Sequence, residues 1–246
     1  MKPLVECQLY AFVDTAYLHG RAPEIVAQQL CDSGADLIQL RAKDCSIEQI
    51  RRMTEAILPI TRAAGVGLVI NDHLPIANEF GAEFCHLGQE DFFDSGHTHT
   101  SQLRTPSPLS EATTLRDSEH PSLGNPFRGG LGKAQSRPVR TIRIGLSTHS
   151  PAQAERALKA EPDYIAIGPV FATATKPGVK AVTLDYVRWA AAHVKIPWFA
   201  IGGINLNNLS QVIDAGAQRI CVVSAILNAE NTAASCREFK LRLVHT

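Results

Sequence analysis

The chain has 246 residues, a length that suits one α/β barrel of about 250 residues but would also hold two small domains. Hydrophobic residues make up 45% and charged residues 20%, so the chain can bury a full core without disulfides or structural metals. Its 24 basic and 24 acidic residues give no net charge, which argues against a nucleic-acid partner. No stretch approaches the roughly 20 apolar residues that cross a bilayer, which argues against a membrane protein.

The N-terminus and the cysteines predict the cellular location of the protein. Residues 1–6 lack the apolar core of a signal peptide. Six cysteines are present, none in a Cys-x-x-Cys pair: Cys7, Cys31, Cys45, Cys85, Cys221 and Cys236. Because several of them lie within apolar runs, they are expected to behave as small hydrophobic residues. This disfavours a zinc site and predicts reduced thiols in a cytoplasmic protein.

Eight short apolar runs predict eight strands. They cover residues 8–13, 37–40, 66–70, 84–87, 142–146, 164–168, 198–201 and 219–223. Each run is nearly continuous in hydrophobicity, as is typical of parallel strands that are buried on both faces.

Segments of helical period lie between the predicted strands. The longest, residues 46–63, carries apolar side chains on one stripe, and Ser46 with Gln49 forms a capping-box pattern. Ser150-Pro151 begins another helix with proline at the first helical position. Further helices are predicted at residues 24–30, 184–192, 208–214 and 232–243.

A Gly-Ala turn recurs before three of the predicted strands. Gly34, Gly81 and Gly216 each stand at the end of a helix, where a left-handed glycine stops the helix. The repetition predicts alternating strands and helices, and eight such units fit a single closed (β/α)8 TIM barrel over residues 1–246. A doubly wound open sheet ranks second, because the first strand-to-helix turn lacks a Gly-x-Gly-x-x-Gly fingerprint.

Residues 95–140 break this alternation. They are rich in Ser, Thr, Pro, Gly and Arg, and a connection of this length with so little pattern predicts a flexible insertion or lid after the fourth strand. Residues 103–115 are a candidate for a short helix within it. We interpret His97 and His99 as exposed loop histidines rather than as a metal-binding pair.

Polar side chains follow the second, third and fourth strands, at the end of a barrel where active sites lie. Gln39, Arg41 and Lys43 alternate along an extended chain, so an amide and two cations share one side and suit an anion. Asp72 and Asp91 follow the next two strands. Their carboxylates, with a diphosphate completing the shell, predict a Mg²⁺ site, whereas either aspartate alone could be a helix N-cap.

The loops after the fifth and sixth strands carry hydroxyl groups and a lysine. Ser147 can hydrogen-bond phosphate oxygens, and His149 is either catalytic or holds the loop in place. Residues 168–178 contain two threonines and Lys176, and they resemble a lid that closes over a phosphate.

The loops after the seventh and eighth strands are small and neutral. The paired Gly202 and Gly203 let a ligand approach the backbone, and a short helix is predicted to begin near Ser224. Barrels of this type bind phosphate here. The chain therefore offers one cationic, metal-assisted anion site and one neutral, amide-rich site, as a two-substrate reaction with a diphosphate leaving group would need.

In their order along the chain, these motifs resemble the thiamine phosphate synthase family. The landmarks are Gln39-Leu40-Arg41-Ala42-Lys43, Asn71-Asp72, His86-Leu87-Gly88-Gln89-Glu90-Asp91, Gly145-Leu146-Ser147, Gly168-Pro169-Val170-Phe171, Thr173-Ala174-Thr175-Lys176, Gly202-Gly203-Ile204 and Val223-Ser224-Ala225-Ile226. Each is weak alone, but their ordered combination from Leu9 to Ile226 is specific.

The resemblance implies an enzyme that joins hydroxymethylpyrimidine diphosphate to thiazole phosphate, with Mg²⁺ held by Asp72 and Asp91. It implies that the pyrimidine diphosphate is bound by Gln39, Leu40, Arg41, Ala42, Lys43, Asn71, Ser147 and Lys176. It implies that the thiazole phosphate is bound by Thr173, Ala174, Thr175, Gly203, Val223 and Ser224. Arg41, Ser147 and Lys176 would act on the reacting groups. The bond to diphosphate would break first, leaving a pyrimidine-stabilised cation that the thiazole nitrogen captures.

Two features depart from the family pattern, and two other functions stay open. Ala42 occupies a position that is usually acidic, and the 95–140 insertion is extra. A thiazole tautomerase-like relative would use His149 for proton transfer, and a non-catalytic sensor would bind thiamine precursors without turnover. The presence of Asp72, Asp91 and Lys176 favours the synthase. Its partners would be small-molecule substrates, and a homo-oligomer is compatible with the sequence.

Overall fold

The computed structural model describes residues 1–104, 141–173 and 181–244. Eight parallel strands pair in chain order, and the eighth pairs with the first, so the sheet closes into a barrel. The strands are β1 Leu9–Asp14, β2 Leu37–Arg41, β3 Gly67–Asn71, β4 Phe84–Gly88, β5 Arg143–Thr148, β6 Tyr164–Ile167, β7 Trp198–Ile201 and β8 Ile220–Cys221. The predicted (β/α)8 barrel is confirmed, and the open doubly wound sheet is excluded.

Helices connect the strands. They are α1 Pro23–Asp32, α2 Ile47–Ala63, α3 Leu74–Phe80, α4 Gln89–Asp94, α5 Pro151–Lys159, α6 Thr183–His193, α7 Leu209–Asp214, α8 Ser224–Leu227 and α9 Thr232–Val244. The predicted capping box begins α2, where the Ser46 hydroxyl accepts from the Gln49 N–H and the Gln49 side chain accepts from the Ser46 N–H. Gly81 ends α3 in the left-handed conformation, at φ 66°, as the recurring glycine turn predicted.

The interior of the barrel is filled by aromatic rings. Tyr10, Tyr164 and Phe199 pack edge to face, with Phe199 5.4 Å from Tyr10 and 5.6 Å from Tyr164 between ring centroids. Phe84 packs against Tyr164 in the same way, at 5.9 Å. Barrels of this class more often fill the interior with branched aliphatic side chains. The tyrosines therefore bring two hydroxyl groups into the interior of the barrel.

At the amino end of the barrel, Asp36 ties several segments together. Its carboxylate accepts hydrogen bonds from the Gln8 and Leu9 N–H groups at 2.8 and 3.0 Å, and it pairs with Lys2 at 2.9 Å and with Lys240 of α9 at 2.5 Å. Burial acts to raise the pKa of Asp36, but these hydrogen bonds outweigh it and hold the pKa below its usual value. The ionised carboxylate thus stabilises the junction of the first residues, β1 and α9.

The first part of the predicted insertion is packed onto the barrel. Thr100 is fully buried, and its hydroxyl donates to the Glu161 carbonyl at 2.7 Å. Leu103 joins the apolar core, and Arg104 pairs with Asp163 at 2.7 Å. Irregular structure was expected from residue 95, but the described stretch through Arg104 belongs to the barrel. The rest of the predicted insertion, residues 105–140, lies outside the described residues, as does most of the candidate helix at 103–115.

All six cysteines carry free thiols. Across the described part of the chain, no helix combines the length and the apolar character that crossing a bilayer requires.

Candidate active site

A cleft opens at the carboxyl ends of the strands, where the sequence predicted the site. It brings together eight of the predicted site residues: Gln39, Arg41, Asn71, Ser147, Thr173, Gly203, Val223 and Ser224. It also contains residues for which the sequence predicted no role or left the role open: Tyr10, Phe12, His86, Thr148, His149 and Cys221. Side chains from the β2 to β5 side and from the β6 to β8 side therefore border one space.

Arg41 is oriented by an acidic residue that the sequence reasoning missed. Asp14 ends β1 and pairs in register with Arg41 at the end of β2. The Asp14 carboxylate is fully buried and lies 2.8 Å from Arg41 Nη1, while its other oxygen accepts from the Ala16 N–H at 3.1 Å. The guanidinium at the rim of the cleft is thus held by a buried counter-charge.

A chain of hydrogen bonds crosses the interior beneath the cleft. Gln39 Nε2 donates to Tyr10 Oη at 2.5 Å, and the Tyr10 and Tyr164 hydroxyls lie 3.1 Å apart. Tyr164 Oη lies 3.0 Å from His86 Nδ1, and His86 Nε2 lies 2.9 Å from Ser147 Oγ. We call these five residues the interior relay. It links two predicted ligands of the pyrimidine substrate, Gln39 and Ser147, through three side chains given no role by the sequence.

The interior provides both the space and the protonated hydroxyl groups that the relay requires. Gly145 pairs in register with Tyr164, and a Cβ placed on Gly145 would lie 2.1 Å from Tyr164 Cζ. Only a residue without a side chain leaves this space open. Burial raises the pKa of Tyr10 and of Tyr164 well above the usual value, so both hydroxyls stay protonated and can donate as well as accept.

The end of β3 carries a compact polar group. Asp72 has a positive φ of 62°, which is uncommon for a residue other than glycine and often marks functional loops. Its carboxylate accepts from Lys43 at 2.5 Å and from the Asn71 side chain at 2.7 Å, and its N–H donates to the His86 carbonyl at 2.9 Å. Asn71 borders the cleft itself, whereas Lys43 and Asp72 lie beside it.

Asp91 lies in the first turn of α4 and is exposed. Its Oδ2 folds towards Gly88, where a Cβ would come within 2.7 Å of it. Among residues 1–104, 141–173 and 181–244, no group of three or more His, Cys, Asp or Glu is placed to hold a metal ion. Asp72 and Asp91 are hard oxygen donors of the kind that Mg²⁺ prefers. Two carboxylates would leave the remaining ligands of such an ion to phosphate oxygens and water.

The β6 and β7 loops approach each other closely around Gly203. This residue has φ 66°, and a Cβ on it would lie 2.7 Å from the Ala172 carbonyl oxygen and from Phe171 Cβ. Val223 immediately precedes α8, and Ser224 is its first residue. The predicted amide-rich site therefore consists of tightly packed backbone with no charged side chain among these residues.

His149 has a defined hydrogen-bonding state. Its Nδ1 lies 2.5 Å from the Gly168 carbonyl oxygen, which can only accept, so Nδ1 carries the proton. Nε2 is then the ring nitrogen that can accept a proton. The Gln153 side chain fixes the same loop by accepting from the His149 N–H at 2.7 Å.

The remaining predicted site residues lie elsewhere. Leu40 and Ala42 are buried in and just beyond β2, and neither borders the cleft. Ala174, Thr175 and Lys176 lie outside the described residues.

Comparison with known proteins assigns the chain to a family. The family model described as thiamine monophosphate synthase matches residues 9–95 and 131–226. The chain belongs to the thiamine monophosphate synthase family. The match is interrupted at residues 96–130, which fall within the predicted insertion. As a member of this family, the chain is an enzyme, a transferase.

Individual relatives agree with the family over most of the chain. A thiamine-phosphate synthase of Thermus thermophilus is 37% identical over 211 residues, covering 85% of this chain and 84% of the relative. A thiamine-phosphate synthase of Lawsonia intracellularis is 33% identical over 245 residues, covering 98% and 96%. The solved thiamine phosphate pyrophosphorylase of Pyrococcus furiosus has a TM-score of 0.72 at 22% identity, covering 98% of each chain, and supports the fold.

Proposed function

We propose that the chain joins hydroxymethylpyrimidine diphosphate to thiazole phosphate, forming thiamine phosphate and releasing pyrophosphate. The observation that carries this proposal is a single cleft bordered by members of both predicted ligand sets. Arg41 and Asn71 come from the first set, and Gly203 and Ser224 come from the second. Membership of the family supports the same reaction.

The pyrimidine diphosphate is assigned to the β2, β3 and β5 side of the cleft. Arg41, with its position fixed by Asp14, would bind the diphosphate through a planar, charged fork. Gln39 and Ser147 would hold the pyrimidine ring above the aromatic interior. Lys43 is paired with Asp72 and would turn to the phosphates when they arrive. Lys176 completes the predicted set.

Asp72 and Asp91 would hold Mg²⁺ together with the diphosphate oxygens. The metal ion would stabilise the negative charge that develops on the departing diphosphate. Asn71 and Lys43 would support this metal site. Both donate to the Asp72 carboxylate and would keep it oriented before the substrate binds.

The thiazole phosphate is assigned to the β6, β7 and β8 side. Gly203 and Ser224 would place backbone amides and a hydroxyl against its phosphate, and Thr173 would add a second hydroxyl. With both substrates in one cleft, the thiazole nitrogen is held close to the carbon that loses diphosphate.

In the proposed reaction, the C–O bond to diphosphate breaks first and its electron pair leaves with the pyrophosphate oxygen. The lone pair of the thiazole nitrogen then forms the new C–N bond. This route requires no nucleophile from the protein. Cys221 is the cysteine at the cleft, and burial raises its pKa well above the usual value, so it stays a thiol.

The test is an assay with both substrates, with and without Mg²⁺. We expect thiamine phosphate and pyrophosphate in equal amounts when both substrates and Mg²⁺ are present, and no product after chelation of the metal. Absence of coupled product under complete conditions, in protein that binds either substrate, would refute the proposal.

Two variants test the assigned roles. Asp91→Ala and Lys176→Ala should each lower kcat by about a hundredfold or more, because each removes a charge that stabilises the departing diphosphate. The melting temperature of Asp91→Ala should match the wild type, because Asp91 is exposed. Asp94→Ala on the same helix and Lys159→Ala at the end of α5 are matched controls, since both residues are exposed and neither has an assigned role. Normal turnover in both test variants would discard these roles.

A second candidate is proton transfer on thiazole phosphate by His149. The hydrogen bond from Nδ1 to Gly168 favours it, because it leaves Nε2 as a base at the cleft. Incubation with a thiazole tautomer alone, followed by separation of the isomers, distinguishes the two functions. Isomerisation that His149→Gln abolishes, without any coupled product, would support this candidate.

A further inference from the structure

The interior relay has a direction that follows from its first hydrogen bond. Gln39 Nε2 donates to Tyr10 Oη, so the Tyr10 hydroxyl hydrogen must go elsewhere. Its neighbour is Tyr164 Oη at 3.1 Å, which accepts. The Tyr164 hydroxyl then donates to the next group, His86 Nδ1 at 3.0 Å. Each link therefore fixes the donor in the following link.

The same direction fixes the tautomer of His86 and the orientation of Ser147. Because His86 Nδ1 accepts from Tyr164, the ring proton of the neutral imidazole lies on Nε2. Nε2 then donates to Ser147 Oγ at 2.9 Å. Ser147 has no other hydrogen-bond partner among the described residues, and it borders the cleft. Its hydroxyl hydrogen is therefore available to a ligand.

The opposite end of the relay presents the complementary group. Gln39 uses an N–H to reach Tyr10, and its carbonyl oxygen has no partner among the described residues. The cleft thus offers an acceptor at Gln39 and a donor at Ser147. A heterocycle in which an amino group donates beside a ring nitrogen that accepts would match both.

We infer that Tyr10, Tyr164 and His86 are positioning residues that transmit the hydrogen-bond direction of Gln39 to Ser147 and so orient the pyrimidine ring. This inference rests on the proposed function for the identity of the ligand. The direction of the relay itself belongs to the free protein and can be measured without any substrate.

The first experiment reads the tautomer of His86 by ¹⁵N NMR of its imidazole, assigned by the loss of its signals in His86→Gln. We expect the wild type to carry the proton on Nε2. Gln39→Glu, in alkaline buffer that ionises the new carboxyl group, replaces a donor by an acceptor at the start of the relay. Every link then reverses, and the His86 proton moves to Nδ1.

A double variant tests whether the effect travels through the hydroxyl groups. In a Tyr164→Phe background the relay is cut between Tyr10 and His86, so adding Gln39→Glu should leave the His86 tautomer unchanged. A proton on Nδ1 in the wild type would overturn the inference. So would an unchanged tautomer in folded Gln39→Glu, or an equal shift in the presence and absence of the Tyr164 hydroxyl.

Kinetics give a second readout that does not depend on the stability of Gln39→Glu. Tyr164→Phe should raise KM for the pyrimidine diphosphate about fivefold, the effect of one misdirected hydrogen bond, and leave KM for thiazole phosphate within about twofold. Tyr186→Phe is the matched control. Its hydroxyl is also buried and bonds Thr148 at 2.7 Å, outside the relay, and both KM values should stay at wild type.

The outcomes separate failure of the inference from failure of the proposed function. Equal increases of both KM values in Tyr164→Phe would indicate a structural role and overturn the inference. If the protein forms no thiamine phosphate at all, the proposed function fails, but the tautomer measurements still decide whether the relay has a direction.

Discussion

Arg41 is oriented by one buried residue, Asp14. A long side chain at a strand end can adopt many rotamers. The Asp14 carboxylate, on the neighbouring strand, lies 2.8 Å from Arg41 Nη1 and restricts them. Asp14 is fully buried, so the interaction is little screened by solvent. The position of the cation is therefore set before any anion binds.

Asp14→Asn tests this arrangement. The amide oxygen can still accept from the Ala16 N–H, but the variant loses the charge that orients Arg41. We expect kcat/KM for the pyrimidine diphosphate to fall about tenfold or more, since hydrogen bonds between charged groups are worth about 1.5–3 kcal/mol. Steady-state kinetics measure this. Asp32→Asn, at an exposed position of α1, serves as the control, and wild-type kcat/KM in Asp14→Asn would contradict the argument.

The sequence predicted strand-end residues better than interior ones. Arg41 and Ser147 were predicted because polar residues that follow apolar runs must meet at one end of a barrel, whereas a role for Asn71 was implied by the family resemblance. Tyr10 and Tyr164 were missed because a tyrosine inside an apolar run has the same pattern as a core residue. Their hydroxyls became recognisable only when the pairing of β1 with β2 and of β5 with β6 brought them next to other polar groups.

At the scale of elements, the loops after β6 and β7 depend on each other. Gly203 places its backbone where the Ala172 carbonyl leaves no room for a side chain. The two loops thus form one wall of the cleft, and a change in either loop must move the other.

Gly203→Ala and Gly96→Ala separate this contact from backbone strain. Both glycines have a positive φ, 66° and 81°, so both variants should lose about 1 kcal/mol of unfolding free energy. Only Gly203→Ala also forces a Cβ against Ala172, which should add about 1–3 kcal/mol, whereas no atom of the described residues lies within 4 Å of a Cβ at Gly96. Denaturant unfolding measures both. Equal losses of unfolding free energy in the two variants would mean that the loops after β6 and β7 accommodate the added Cβ without an energetic penalty.

The short elements were the hardest to predict. α4 has six residues, less than two helical turns, so its period cannot be distinguished from that of a loop. The sequence analysis therefore predicted no helix at Asp91, which lies in the first turn of α4. The described part of the insertion shows a related limit. Thr100 and Leu103 pack onto the barrel although the surrounding composition is that of an irregular segment.

For the whole molecule, the interactions of Asp36 link stability to pH. Its pKa is depressed in the folded protein, so its stabilisation is present above the ordinary pKa of an aspartate and is lost as the pH falls through the folded value. Asp36→Asn should lower the unfolding free energy at neutral pH by about 2 kcal/mol and reduce its dependence on acid. Denaturant unfolding at neutral and acidic pH measures both.

Asp185→Asn is the control for Asp36. Asp185 also pairs with a cation, Arg188, but its side chain is 87% exposed, and such pairs contribute little. If the wild type and Asp36→Asn lost stability in parallel as the pH fell, the stabilising charge would have to lie elsewhere.

Eight apolar runs predicted the closed barrel, but neighbouring strands are not all paired over the same length. The run at 219–223 forms a ladder over Ile220–Cys221 alone, the shortest of the described strands, joined by two register pairs to β1 and by two to β7. Local fluctuations that separate strands of the barrel should therefore begin where β8 pairs with β1 and β7. Since Tyr10 is one of the two residues that β1 contributes there, such breathing would let water into the polar interior. The backbone pairing that closes the barrel therefore also shields the Tyr10 end of the interior relay from water.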